Sequence, residues 1–125
     1  MSQTRQTQPN KTKKFGKYDV KREFSDNYRD TIIFEDNSVN EIMHKLDITL
    51  NRNPSSEIIP LDYVHDAYRG VDKVFYHIVD STVRLERQFK NQRNNSNNNL
   101  YSLKIINKNH AKRKITRKFL EEVLK

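Results

Sequence analysis

Cysteine is absent from the 125-residue chain, so disulfide bonds, thiolate nucleophiles and cysteine-ligated zinc are excluded. Glycine occurs twice, proline three times and tryptophan not at all, which leaves few interruptions for helices. Long apolar runs are also missing, and the first residues have no apolar core, so we expect neither a membrane span nor a signal peptide. A mean hydropathy of -1.01 predicts a small core that depends on a partner chain.

Charge is distributed in three blocks along the chain. Residues 1–22 contain seven Lys or Arg and one acid, residues 23–83 contain five and twelve, and residues 84–125 contain twelve and three, for a formal net charge of +8. Basic ends around an acidic middle favour contact of the ends with a polyanion such as nucleic acid. A solvated basic surface without such a ligand is the alternative interpretation.

Apolar spacing predicts helices after a disordered basic tail at residues 1–22. The first helix follows the capping-box spacing of Ser38 and Glu41 and ends near Asp47. The second is one long helix over residues 60–89, where apolar residues recur at alternating steps of three and four.

The C-terminal part of the chain predicts one more helix. An Asn-rich insertion at about residues 90–109 precedes it, and Thr116 is its expected cap. The order of short, long and short helix predicts an all-α protein.

Two stretches of this sequence resemble the histone H-four family. Residues 69–75 read R-G-V-D-K-V-F, where the family has R-G-V-L-K-V-F in its long helix. Residues 110–116 read H-A-K-R-K-I-T, where the family has H-A-K-R-K-T-V-T in the loop before its third helix. A weaker similarity is Asp26-Asn27, which resembles the L-R-D-N before the family's first helix. The resemblance covers roughly residues 22–125 and implies a histone fold.

This resemblance implies a non-enzymatic nucleosome component of the nucleus and chromosome, which binds DNA phosphates without reading sequence. Its partners would be an H-three-type histone and then other core histones, with no membrane, small-molecule substrate, cofactor or metal. With the basic tail included, the expected DNA contacts are Lys112, Arg113, Lys114, Arg52, Lys11, Lys13, Lys14 and Lys17. The expected dimer interface on the long helix is Val64, Tyr68, Gly70, Val71, Phe75 and Ile78.

Departures from the family favour a second hypothesis. The family is shorter between Gly70 and His110, and its first helix is arginine-rich, whereas the corresponding helix here has Glu41. These differences suit a histone-fold subunit of a transcription or centromere assembly. An unrelated helix-turn-helix protein is a third interpretation, but the helix predicted over residues 60–89 is longer than the helices of that motif. Catalysis is not expected, because none of the four histidines has a metal-pair spacing and no glycine-rich phosphate loop is present.

Overall fold

The described part of the chain forms one antiparallel sheet of seven strands, and two helices pack on one face of this sheet. The structure is a computed structural model and describes residues 13–35, 37–52, 57–89 and 100–125. Its elements are β1 Lys13–Phe15, β2 Tyr18–Ser25, β3 Arg29–Phe34, α1 Val39–Arg52, β4 Ile58–Asp66, β5 Val71–Ile78, β6 Ser81–Gln88, β7 Leu100–Ile106 and α2 His110–Val123. The strand order is β1-β2-β3-β7-β6-β5-β4.

The core lies between the sheet and the two helices. Alternate residues of the strands face the helices, as the period of two in a strand requires, so Ile32 on β3 and Leu103 on β7 are fully buried. The helices supply the other side of the core through their own fully buried side chains, which are Ile42, Leu46, Leu120 and Leu124. The opposite face of the sheet has no helix on it in the described part of the chain.

The predicted all-α histone fold is wrong, because the residues expected in the long helix form the strands β4, β5 and β6. Burial alternates along β5, where Tyr76 and Ile78 are buried and Phe75 and His77 are half-buried on the other face. β-branched and aromatic residues favour this extended arrangement. Apolar residues are dense in this segment, so some of them fall at three- and four-residue steps even though burial alternates every two residues. Those steps produced the wrong prediction of a helix.

Two turns divide the segment expected to be helical. Gly70 has a φ of 70°, and its N–H donates to the carbonyl oxygen of Asp66 at 2.8 Å. Val79 has a φ of 58°, and its N–H donates to the carbonyl oxygen of Glu57 at 2.8 Å. A β-branched residue rarely adopts a positive φ, so no local signal in the sequence predicts this second turn.

The expected tail and insertion are partly strands. Residues 13–22 lie in β1 and β2 rather than in a disordered tail, and Phe15 is fully buried. The expected insertion includes β7, the central strand of the sheet. Residues 1–12 and 90–99 of these two segments lie outside the described residues.

The two terminal helix predictions have different outcomes. A helix begins at Val39, directly after Ser38 as predicted, but it runs to Arg52. The last helix begins at His110, six residues before the expected cap. Thr116 is buried within α2, and its hydroxyl donates to the carbonyl oxygen of Ile78 at 3.0 Å. This threonine therefore joins the helix to the sheet and does not cap the helix.

The turn between β1 and β2 packs against the end of α2, which makes its glycine testable. Gly16 has a φ of 63°, and a Cβ at this position would lie 2.6 Å from the carbonyl oxygen of Leu124. We expect Gly16→Ala to lower the free energy of unfolding by about 1–3 kcal/mol, because the positive φ and the contact both oppose a side chain. Urea unfolding measures this, with the exposed Lys21→Ala as control. Equal stability of the two variants would show that the packing of this turn is unimportant.

Candidate nucleic-acid interface

Arg113 is a buried residue that joins α2 to the turn between β2 and β3. The residue is 2% exposed, and its Nε donates to Oδ1 of Asp30 at 3.0 Å. Its two Nη atoms donate to three backbone carbonyl oxygens, those of Asn107 at 2.7 Å, Asp26 at 3.0 Å and Asn27 at 3.2 Å. The turn and the start of the helix are therefore held in one fixed arrangement.

Arg113, which the sequence predicts as a DNA contact, is buried. Its guanidinium is occupied by protein acceptors, whereas its neighbours Lys112 and Lys114 are exposed. Successive residues on a helix point in directions about 100° apart, so adjacent cations face different environments. Of the predicted basic cluster, two residues face solvent and the third anchors the surface on which they lie.

Two aromatic rings near the turn held by Arg113 are exposed, and each lies beside a guanidinium group; Tyr28 belongs to the turn, and Phe24 belongs to β2, which leads into it. Tyr28 is 47% exposed, and the guanidinium of Arg29 lies 5.6 Å from its ring centroid. Phe24 is 51% exposed, and the guanidinium of Arg22 lies 5.9 Å from its ring centroid. Rings with cations beside them can both stack on nucleobases and attract phosphate.

One carboxylate belongs to this turn and fixes its shape. Asp26 accepts hydrogen bonds from the N–H of Tyr28 at 3.0 Å and from Nη2 of Arg29 at 3.0 Å. The hydrogen bond from the Tyr28 N–H, with that from Arg29, holds the pKa of Asp26 below its usual value. Asp26-Asn27, which resembles a histone motif, is thus the polar start of a turn, where these residue types are favoured.

The first residues of α2 add lysines beside the turn. The N–H of Asn107 donates to the carbonyl oxygen of Tyr28 at 2.8 Å, which brings the segment leading into α2 against the turn. Asn109 caps the helix by accepting from the N–H of Lys112 at 3.2 Å. We call the cations and rings of β2, of the turn and its end, and of the start of α2 the turn–helix surface; all are exposed except the half-buried Arg29, and its members are Arg22, Phe24, Tyr28, Arg29, Lys108 and Lys112.

More lysines continue along the exposed side of α2. Lys114 and Lys118 are both exposed and follow Lys112 along the helix. None of the four lysines at positions 108, 112, 114 and 118 forms an ion pair within the described ranges. Positive charge at the start of α2 is therefore not neutralised by neighbouring carboxylates.

The lysines predicted in the tail lie elsewhere. Lys14 pairs with Asp19 at 3.0 Å and Lys17 pairs with Glu41 at 3.4 Å, so these charges are partly neutralised. Their turn contacts the C-terminal end of α2, about 20 Å along the helix from its start. Lys13 is an exposed residue of β1. Lys11 and the side chain of Arg52 lie outside the described residues.

The residues predicted as a dimer interface do not share one face. Ile78 is in the core, while Val71 and Phe75 lie on the opposite face of the sheet. The others lie on the edge strand β4 or in the following turn, and they are Val64, Tyr68 and Gly70. A histone-like helical seam is absent from these positions because the segment is folded into strands.

A second polar cluster joins the edge of the sheet to its interior. Asp72 accepts from Nδ1 of His65 and, at 3.1 Å, from Nε of Arg87. Burial raises the pKa of Asp72, but these two hydrogen bonds outweigh it and the pKa lies below its usual value. Phe89 stacks on His65 with 5.8 Å between the ring centroids. Because the cluster links β4, β5 and β6, we assign it a structural role.

Comparison with known proteins adds no assignment: no protein-family model, no curated protein and no solved structure matches the chain. The similarity to H-four histones stays a prediction from two short stretches. The first of these, residues 69–75, is expected within a helix but lies in a turn and in β5. The described helices include none long and apolar enough to cross a membrane. Nor do the described residues bring together three His, Cys, Asp or Glu side chains that could hold a metal ion.

Replacing Arg113 tests whether it anchors the turn–helix surface. Arg113→Met leaves Asp30 buried without its ion pair and three carbonyl groups without a donor. We expect the free energy of unfolding to fall by about 3–5 kcal/mol. Lys114→Met, a change of the exposed neighbour, should alter it by less than about 0.5 kcal/mol. Urea unfolding compares the two, and equal stabilities would mean that the buried network is not an anchor.

Proposed function

We propose that the protein binds nucleic acid without sequence preference, through the turn–helix surface. The observation that carries the proposal is the placement of exposed rings and unpaired lysines on one rigid junction, with Arg113 buried beneath it. Lysine and arginine bind phosphates by charge, and aromatic rings stack on bases of any identity. This combination supplies affinity but little discrimination between sequences.

The backbone is the favoured target because of the kind of cations present. Lys108 and Lys112 carry compact ammonium groups on flexible stems, which contact phosphates as point charges. Lys112 also lies in the first turn of α2, where the aligned peptide dipoles give the helix end a partial positive charge. Both effects attract an anion whatever base it is attached to.

Nucleic-acid binding, which the charge pattern favours, is kept in this proposal. Assembly into a nucleosome, which the histone fold implied, is not. Non-enzymatic action and a nuclear, chromosomal location stay predictions. An H-three-type partner also stays a prediction, but it has lost the histone fold as its support.

Removing two lysines tests the proposal through its dependence on salt. Lys108→Gln with Lys112→Gln should weaken binding of a fluorescent oligonucleotide by a similar factor for every sequence. The magnitude of the slope of log affinity against log salt should fall by about 0.7–0.9 for each phosphate that the variant no longer binds. Fluorescence anisotropy at several salt concentrations measures both quantities.

The matched control removes the same charge from the other end of the molecule. Lys14→Gln with Lys17→Gln should leave the slope nearly unchanged, because both lysines already pair with acids. If the two double variants lose affinity equally, net charge rather than the turn–helix surface determines binding. If neither changes affinity, the proposed function is wrong.

A further inference from the structure

The sheet face that the helices leave uncovered, which we call the open face, carries side chains in regular rows. Cross-strand pairing places one residue from each of five adjacent strands in a row. The first row is Phe24, Thr31, Lys104, Arg84 and Phe75. The second row is Arg22, Ile33, Ser102, Glu86 and Lys73. At a strand spacing of about 4.8 Å, a row is about 19 Å long.

Within the two five-strand rows, basic side chains surround one carboxylate, that of Glu86, and on the edge strand β4 Asp62 lies opposite Phe75. Glu86 accepts from Nζ of Lys104 at 2.9 Å and lies 3.6 Å from Nη2 of Arg84. Burial raises the pKa of Glu86, but the hydrogen bond from Lys104 and the charges of Arg84 and Lys73 outweigh it, so the pKa lies below its usual value. Nε of Arg84 is buried and has no hydrogen-bond partner among the described residues. Positive charge therefore exceeds negative charge in the two rows.

A depression of about 160 Å³ lies in the middle of these rows. Its lining combines the apolar side chains of Ile33 and Leu100 with five polar ones, which are Thr31, Ser102, Glu86, Gln88 and Lys104. Hydroxyl, amide, carboxylate and ammonium groups together offer donors and acceptors, as the edge of a nucleobase requires. The volume is below the roughly 300–1,000 Å³ of sites for drug-sized ligands, so it suits one planar ring system.

The open face is continuous with the turn–helix surface. Arg22 and Phe24 belong to both, and Phe24 is the cross-strand partner of Thr31 at the margin of the depression. A strand bound at the turn can thus continue across the sheet without leaving the protein. A duplex cannot use the depression in this way, because its bases are paired and stacked inside the helix.

We infer that the open face takes the unstacked bases of a single-stranded nucleic acid whose backbone is bound by the turn–helix surface. This inference rests on the proposed function and assigns its substrate class. Phe24 and Phe75 lie at the two ends of the first row, where they stack on bases, and the net positive charge that Lys104 and Arg84 leave after pairing with Glu86 attracts the phosphates.

Filling the depression separates this inference from the proposed function. Ser102→Leu adds volume at its centre without changing charge, and Thr82→Leu makes a similar change on the same face outside its lining. We expect Ser102→Leu to weaken binding of a short oligothymidylate by about tenfold or more, with an unchanged salt slope and unchanged duplex binding. Thr82→Leu should bind as the unaltered protein does.

Other outcomes are equally distinct. If the unaltered protein binds single strand and duplex equally and Ser102→Leu changes neither, the inference is wrong while the proposed function stands. If the unaltered protein binds neither probe, both are wrong. Should Ser102→Leu not fold by circular dichroism, Phe75→Ala decides, since it removes a half-buried ring from the open face and should weaken single-strand binding alone. Oligouridylate in parallel distinguishes RNA from DNA, and tighter binding of either than of the duplex supports the inference.

Discussion

A buried guanidinium in a small protein has to be satisfied by acceptors on every side, and in this molecule that requirement organises the proposed binding surface. Transfer of an unpaired cation from water costs several kcal/mol, so Arg113 is tolerated because Asp30 and three carbonyl groups surround it. Two of those carbonyls belong to the turn between β2 and β3, and a third leads into α2. The network therefore specifies where the turn that contains Tyr28 lies relative to the lysines of the helix.

The positions of the acids determine which basic residues remain available. Lys14 and Lys17 are paired near the C-terminal end of α2, whereas Lys112 at its other end has no described acidic partner. On the open face Glu86 lies between several cations, so it neutralises one of their charges and leaves a net positive charge. Within the described residues, part of the positive charge thus stays unpaired around the turn–helix surface and the open face.

Sequence patterns predicted some of these features, and the limits have physical causes. The capping residues before Val39 act locally, so the start of α1 could be predicted. The strands could not be predicted, because the dense apolar residues fit both the helical period of about 3.6 and the strand period of two. Val79 also makes a turn that its residue type disfavours. The sequence around Arg113 and Lys112 does not show which of the two is buried. The burial of Arg113 depends on its contact with Asp30, which is far away in sequence.

The most direct test of the central claim is an NMR titration of the isotope-labelled protein with a short oligothymidylate. The account predicts that amide signals of Phe24 to Arg29, Ser102 to Lys104 and Lys108 to Lys112 shift together and saturate at one concentration. Signals of the edge strand β4 should stay in place, because it lies at the sheet edge beyond both surfaces. Shifts confined to β4, or to the turn that contains Lys14 and Lys17, would contradict the account.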